Sequence, residues 1–457
     1  MLTPSPQAGA HSLPPVTAKA NRNSPQQARM RPASPDAGLS TPHAAKPTST
    51  LKQTTLQTAL LTLCILAAGY AYGWQSMVFT TMVTALSFTI NLTITNSLSA
   101  RKCLAYLLFF LTPFLTSINA INTLTGLNPS GAERYWFGIT FASASLAVFI
   151  YEGKLSLDAA IFQISQPLRL FSGPVAIPHP RIGPKPNTIL RLLIYGSWFN
   201  LGMFFFFVLA PALTPFFALK RSTNPLDTLI FATAYELYVY FNFAGISFVA
   251  YALLRAFGVT AVLNFNTPFA ARSLIEYWQR WHISLSQVCK LLFFRPIRDR
   301  LSLPIAVIAV FLSSAMWHGT SLNFLIWGIF HALGWIVSYA LLTRCLYGKI
   351  LATAILPFFV IIGRLIFSEI DPHLLFIKLG SLMTADLSDP PLVRDIVLSN
   401  TAALLLVVAL AVIWGEAAKV RSFRRYRIYR TGWNSIALLV FVIFFGSSGL
   451  GGIYGAR

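Results

Sequence analysis

His318 stands in an almost uncharged stretch, LSLPIAVIAVFLSSAMWHGTSLNFLIWGIFHALGWIVSYALL from Leu301, with no acid, lysine or arginine until Arg344. An ionisable group at such apolar depth is costly and usually functional. Because imidazole titrates near neutral pH, one held away from bulk water can take a proton from a hydroxyl or thiol and return it later. His318 is therefore a candidate general base. His282 precedes it by 36 residues in YWQRWHISLS, enough chain to turn back once and return to the same depth, so the two histidines can line one cavity.

Around His282, Trp278 lies four residues earlier and shares its helix face, while Glu276 and Arg280 have the spacing of an i,i+4 ion pair. Aromatic belts at membrane boundaries account for Trp278 and Trp281 without any catalysis. Ser313 and Ser314 fall one turn before His318, where such hydroxyls satisfy backbone carbonyls. His331 follows His318 by 13 residues, which on a continuous helix puts the two about 220° apart, so His331 is expected to pack helices together outside the cavity of His318. His179, His373, His11 and His43 are given no role. Neither a Ser-His-Asp order nor a GxSxG elbow is present, so a covalent serine route is not indicated. Cys64, Cys103, Cys289 and Cys345 have no metal-ligand spacing, and no metal site is expected.

The elements that position these residues follow from composition. At 457 residues, 55% hydrophobic and 11% charged, the chain exceeds the apolar content of a soluble core and reads as an all-α, polytopic membrane protein. Apolar stretches near 56–74, 76–98, 103–122, 135–151, 190–217, 226–256, 303–317, 320–343, 350–367, 400–415 and 434–446 predict about eleven spans of ~30 Å of hydrocarbon. The shortest of them also suit re-entrant or tilted segments.

The net charge of +21 does not imply nucleic acid, since the cations sit between apolar blocks and in one run, KVRSFRRYRIYR at 419–430. Such a run marks a cytoplasmic loop, or a patch for anionic lipid headgroups. Residues 1–50, rich in Pro, Ala, Ser and Gln, are expected to form a disordered, cytoplasmic basic tail before a transmembrane domain over 51–450. The stretch 166–187 is too rich in Pro and Gly for regular helix and reads as a loop or broken re-entrant segment. The stretch 264–300 alternates aromatic and basic residues and is expected to lie at the membrane interface.

Five segments together resemble the bacterial branch of the membrane-bound O-acyltransferases: FGITFASASLAVFIYEGK at 137–154, LFSGPV at 170–175, YFNFAGIS with NFNTPF at 240–269, YWQRWHISLS at 277–286 and MWHGTSLNFLIWGIFHALG at 316–334. That branch includes proteins of alginate and peptidoglycan O-acetylation and of teichoic-acid D-alanylation. The resemblance implies a ring of tilted helices with a central tunnel, in which His318 corresponds to the family's essential histidine and His282 to the second tunnel histidine. It further implies substrate contacts from Trp317, Trp278, Arg280 and Asn242, and an acyl thioester, acetyl-CoA or an acyl carrier, as donor with no bound cofactor. Membrane lipid and a secreted SGNH-type acyltransferase or other envelope protein are the implied partners, and the inner membrane the implied location.

Two departures stand out. Where polysaccharide-acylating members usually read YFDFSGYSD, this chain has Asn242 and Phe248 in place of the acids. The arm after RWHISLS is also short, with FFRPIRDRLSLP leading almost directly to the WHG block.

The expected activity is transfer of an acetyl or other small acyl group from a cytoplasmic thioester to a hydroxyl of an envelope polysaccharide. The alternatives are D-alanyl transfer to a cell-wall polymer, a transporter or flippase for a lipid-linked saccharide, and an inactive scaffold. Glu236, in TAYELYVYF, is the main acid inside an apolar block. Proton-coupled transport needs paired acids or acid–base chains at depth, so Glu236 is expected to be dispensable.

Overall fold

The structure, a computed structural model, describes residues 74–94, 96–117, 129–156, 175, 188–256, 261–384, 400–418 and 424–446. The predicted tail and nearly all of the 166–187 loop lie outside the described residues. Among those described there is helix and turn but no strand.

In chain order the helices are α1 (Trp74–Thr93), α2 (Leu98–Ser117), α3 (Pro129–Tyr151), α4 (Thr188–Phe204), α5 (Pro225–Ala256), α6 (Leu274–Arg280), α7 (Ile283–Cys289), α8 (Arg295–Arg298), α9 (Leu303–His318), α10 (Leu322–Arg344), α11 (Gly348–Ser368), α12 (Pro372–Thr384), α13 (Asn400–Ala417) and α14 (Gly432–Phe445). Helix is present in every predicted apolar stretch from 76 onwards, and α12 is one that was not anticipated. Among the described residues, four segments, Leu192–Arg221, Pro225–Ala256, Leu322–Arg344 and Gly348–Ser368, are long and apolar enough to cross a membrane. Large side chains such as Leu193, Ile329, Leu333, Ile350 and Phe444 remain exposed on the outside of the bundle, as suits a hydrocarbon solvent.

At the centre is α5. Pro225 begins it, and Asn224 caps it by accepting from the amides of Leu226 (2.9 Å) and Asp227 (3.3 Å). It is buried on most of its circumference, as a helix apolar on all sides should be. Its 32 residues rise about 48 Å. It packs against α4 and α11. The α4 contact depends on Gly202 and Gly245, because a Cβ on either would come within 3 Å of the other's carbonyl oxygen. Past Phe204 the α4 chain loosens into a π turn (Phe205–Leu209) and then a 3₁₀ run (Pro211–Arg221), where Pro211 and Pro215 each lack a donor for the α ladder.

α9, α10 and α11 pack in succession, and small residues again set the spacing. Gly328 of α10 faces Ala315 and the Phe311 carbonyl of α9, while Gly363 of α11 receives the imidazole of His331 from α10. α9 stops at His318 because Gly319 takes φ 156° and turns the chain into α10.

Much of the 264–300 stretch packs into the protein, while Arg295, Arg298, Asp299 and Arg300 stay exposed. Phe265, Leu274, Tyr277, Trp281, Val288 and Leu292 are all buried in the main core. Two seven-residue helices, α6 and α7, fold inward here, and their polar backbone is satisfied locally.

Candidate functional site

Asn264 and Ser284 hold the inward turn in place. The Asn264 side-chain oxygen accepts from the Ser284 amide (3.0 Å) and hydroxyl (2.8 Å), and its carbonyl accepts from the Ile283 amide (2.8 Å). The Ser284 hydroxyl in turn accepts from the Val175 amide at 2.9 Å. On the other side of the turn Arg280 donates to Asn266 O (3.0 Å) and pairs with Glu276 (2.7 Å), while the Asn266 amide donates back to Arg280 O. Between these two anchors the helix breaks. Trp281 is extended and His282 adopts left-handed backbone angles, φ 44° and ψ 54°. Non-glycine residues in that region are uncommon, histidine being one of those enriched there, and they persist where the surroundings over-determine them.

The break has a chemical consequence. His282 caps α7, its Nδ1 accepting from the Leu285 amide at 3.3 Å, so the hydrogen-bond pattern assigns the ring proton to Nε2. Nε2 is buried and has no protein partner. Burial pushes the imidazole pKa down to about 4, which keeps the ring neutral at pH 7, one nitrogen accepting and the other a free donor. Phe141 stacks on this ring at 5.9 Å and Phe243 lies at 5.7 Å.

A cavity of about 370 Å³ is lined by His282 together with His318, Trp278, Trp327, Ser314 and Arg364, among others. The two histidines expected to share a cavity do share one. His318 contributes from the last turn of α9, framed by Trp327 (5.7 Å) and Phe367 (5.0 Å). Trp317 packs between the two imidazoles, with ring centroids 6.2 Å from His282 and 5.1 Å from His318.

The other sequence-derived residues divide. Trp278 lines the cavity, although the break at Trp281 and His282 means that it does not share one continuous helix face with His282. Trp317 is 4% exposed and does not line the cavity. Neither does Asn242, whose amide lies 3.5 Å from the Tyr238 hydroxyl. Nor does Arg280, which is engaged within the turn. Ser314 faces the cavity one turn before His318.

His331 lies outside the cavity lining, packed on Trp278 and Trp327 at 5.0 Å each. The two histidines are not about 220° apart on one helix as expected, because the chain turns at Gly319 and no continuous helix joins His318 to His331.

Sequence reasoning missed Arg364. It lines the cavity and forms a buried ion pair with Glu236, the acid expected to be dispensable. Glu236 also accepts from the Tyr277 hydroxyl at 2.6 Å, so it is the centre of a three-residue cluster. Among the described residues no group of three His, Cys, Asp or Glu side chains is placed to hold a metal ion.

Residues 189–362 match the membrane-bound O-acyltransferase family. The chain is 30% identical to a peptidoglycan O-acetyltransferase of Helicobacter pylori over 39% of its own length and 36% of the relative's. It is 29% identical to a probable alginate O-acetylase of Azotobacter vinelandii, over 47% of each chain. A teichoic acid D-alanyltransferase of Bacillus subtilis is 27% identical over 37% of this chain and 49% of that one. The chain thus spans half or less of the length of these relatives.

Proposed function

We propose that this chain, whose residues 189–362 are a membrane-bound O-acyltransferase domain, transfers a small acyl group from a thioester to a hydroxyl of an envelope polysaccharide. The observation that carries the reading is that His282 and His318 line the same cavity. Acyl transfer needs a base for the incoming hydroxyl and a donor for the developing oxyanion, and the two imidazoles can divide those tasks.

In this mechanism His318 takes the proton as the acceptor oxygen bonds to the thioester carbonyl carbon. The carbonyl electron pair moves to oxygen, which receives a hydrogen bond from His282 Nε2–H. When the adduct collapses the C–S bond breaks, and the proton on His318 passes to the leaving sulfur. Trp278 and Trp327 wall this cavity with indole.

Acetyl is the favoured acyl group, because two of the relatives are named for O-acetylation. D-alanyl transfer is the second reading, favoured by the relative named for that reaction. The protein would act in the inner membrane, taking acetyl-CoA or an acyl carrier from the cytoplasmic side. A secreted SGNH-type acyltransferase or another envelope protein would complete delivery.

The test is mass spectrometry of envelope glycans after labelling with isotopic acetate or, in parallel, isotopic D-alanine, comparing wild type with His318→Ala at matched membrane levels. A labelled ester present in wild type and lost in the variant supports acetyl transfer and identifies the acceptor. Equal labelling rejects the mechanism, and label from D-alanine alone selects the second reading.

A further inference from the structure

Arg364 lies near the C-terminal end of α11, two residues beyond the segment that matches the family, and reaches the cavity of His282 and His318. It is 8% exposed, and its partner Glu236 is 3% exposed. The guanidinium Nε donates to Glu236 at 2.5 Å, and its carbon lies 5.6 Å from the Trp281 ring and 5.1 Å from the Phe367 ring. Tyr277 donates to the other oxygen of Glu236 at 2.6 Å.

A buried ion pair is weak evidence for a stabilising role, since desolvation offsets its attraction. An arginine at the wall of a reaction cavity therefore needs another explanation. Its bond to Glu236 uses Nε, which leaves the four N–H groups of the two Nη atoms as further donors on a side chain that lines the cavity. Glu236 already balances the charge. The pair consequently offers oriented donors without net charge, an arrangement that holds a permanent anion weakly and favours a charge that appears only during reaction.

The geometry points to Arg364 as a second oxyanion donor beside His282, acting on the tetrahedral adduct of the acyl transfer; the inference rests on the acyl-transfer reading above. As the acceptor oxygen bonds to the carbonyl carbon, the displaced electron pair on the carbonyl oxygen accepts N–H bonds from Arg364. The pair returns to re-form the carbonyl as the C–S bond breaks, and sulfur leaves with the proton held by His318. Glu236 and Tyr277 are positioning residues that aim the guanidinium.

The test uses membrane vesicles containing the full chain, isotopic acetyl-CoA at varied concentration and the envelope acceptor. Arg364→Lys keeps a charge opposite Glu236 but loses the planar fork. Its rate at saturating donor is expected to fall about 100-fold, with half-saturating donor within about twofold of wild type. The double variant Glu236→Gln, Arg364→Gln removes both charges and guards against misfolding from an unpaired one; its rate is expected to fall by a similar factor. A wild-type maximal rate in either variant overturns the inference, as does a raised half-saturation with an unchanged maximal rate. Labelling retained by His318→Ala would instead overturn the acyl-transfer reading, whatever the arginine variants do.

Discussion

Trp317 meets His282 edge to face, with ring centroids 6.2 Å apart and planes at 75°, and so joins the end of α9 to the αL turn before α7. Through its own neighbour His318 it fixes the spacing of the two imidazoles without lining the cavity. Trp317→Ala should cost about 3–5 kcal/mol of stability and most of the acyl-transfer rate. Trp317→Phe, which keeps an aromatic edge there, should retain more than a tenth of the rate, on the order of 1 kcal/mol in the barrier. Thermal unfolding in detergent and labelled-ester formation measure the two effects. An alanine variant with both unchanged removes this role.

The αL turn depends on Asn264. Asn264→Ala leaves the buried amide and hydroxyl of Ser284 without their acceptor, at about 1–3 kcal/mol for each unsatisfied group. The predicted outcome is a lower unfolding temperature together with loss of transfer, because His282 is released from its strained conformation. Asn264→Asp, which retains the acceptor oxygens, should restore part of both. No difference between the two variants would show that the acceptor is not what matters.

Arg280 separates a structural role from a binding one. Its partners are Glu276, Asn266 O and Thr267, so Arg280→Ala should destabilise by about 1 kcal/mol with donor and acceptor half-saturation unchanged. A raised half-saturation at an unaltered unfolding temperature would return Arg280 to substrate binding.

Burial sets a pH dependence at His282. Its pKa of about 4 in the fold lies below the ordinary 6.5, so the unfolded chain takes up the proton first as pH falls. The stability held by the neutral ring is fully present above about pH 7 and declines between 6.5 and 4, by up to about 3 kcal/mol. His282→Asn tolerates the αL turn and can cap Leu285 through its side-chain oxygen, so its unfolding temperature should fall less steeply over that window. Parallel slopes would show that His282 is not buried as a neutral ring.

How far the sequence reveals this site depends on the range of the interaction. The helices ending at His318, Arg344 and Ser368 are visible in apolar run length, and the two histidines in their improbable surroundings. The break at Trp281 and His282 is not visible, because nothing local in YWQRWHISLS demands it. It is imposed by Asn264, about 20 residues earlier, whose side chain replaces the hydrogen bonds a continuous helix would have made. In 264–300 the mixed aromatic and basic composition likewise does not show which side chains turn inward, as Arg280 does onto Asn266 O. Arg364 escapes notice as an isolated cation in an apolar run, since its partner Glu236 lies 128 positions away and neither residue has a local motif.

Whether His282 and His318 act on one chemical step in one cavity is decided by a double-mutant cycle on labelled-ester formation with His282→Asn, His318→Gln and the double variant at matched membrane levels. Each single substitution is expected to lower the rate by about 100-fold or more, with the double variant no slower than the slower single, as for residues acting as a unit. A wild-type rate in either single variant, or losses that multiply in the double, would contradict a shared step.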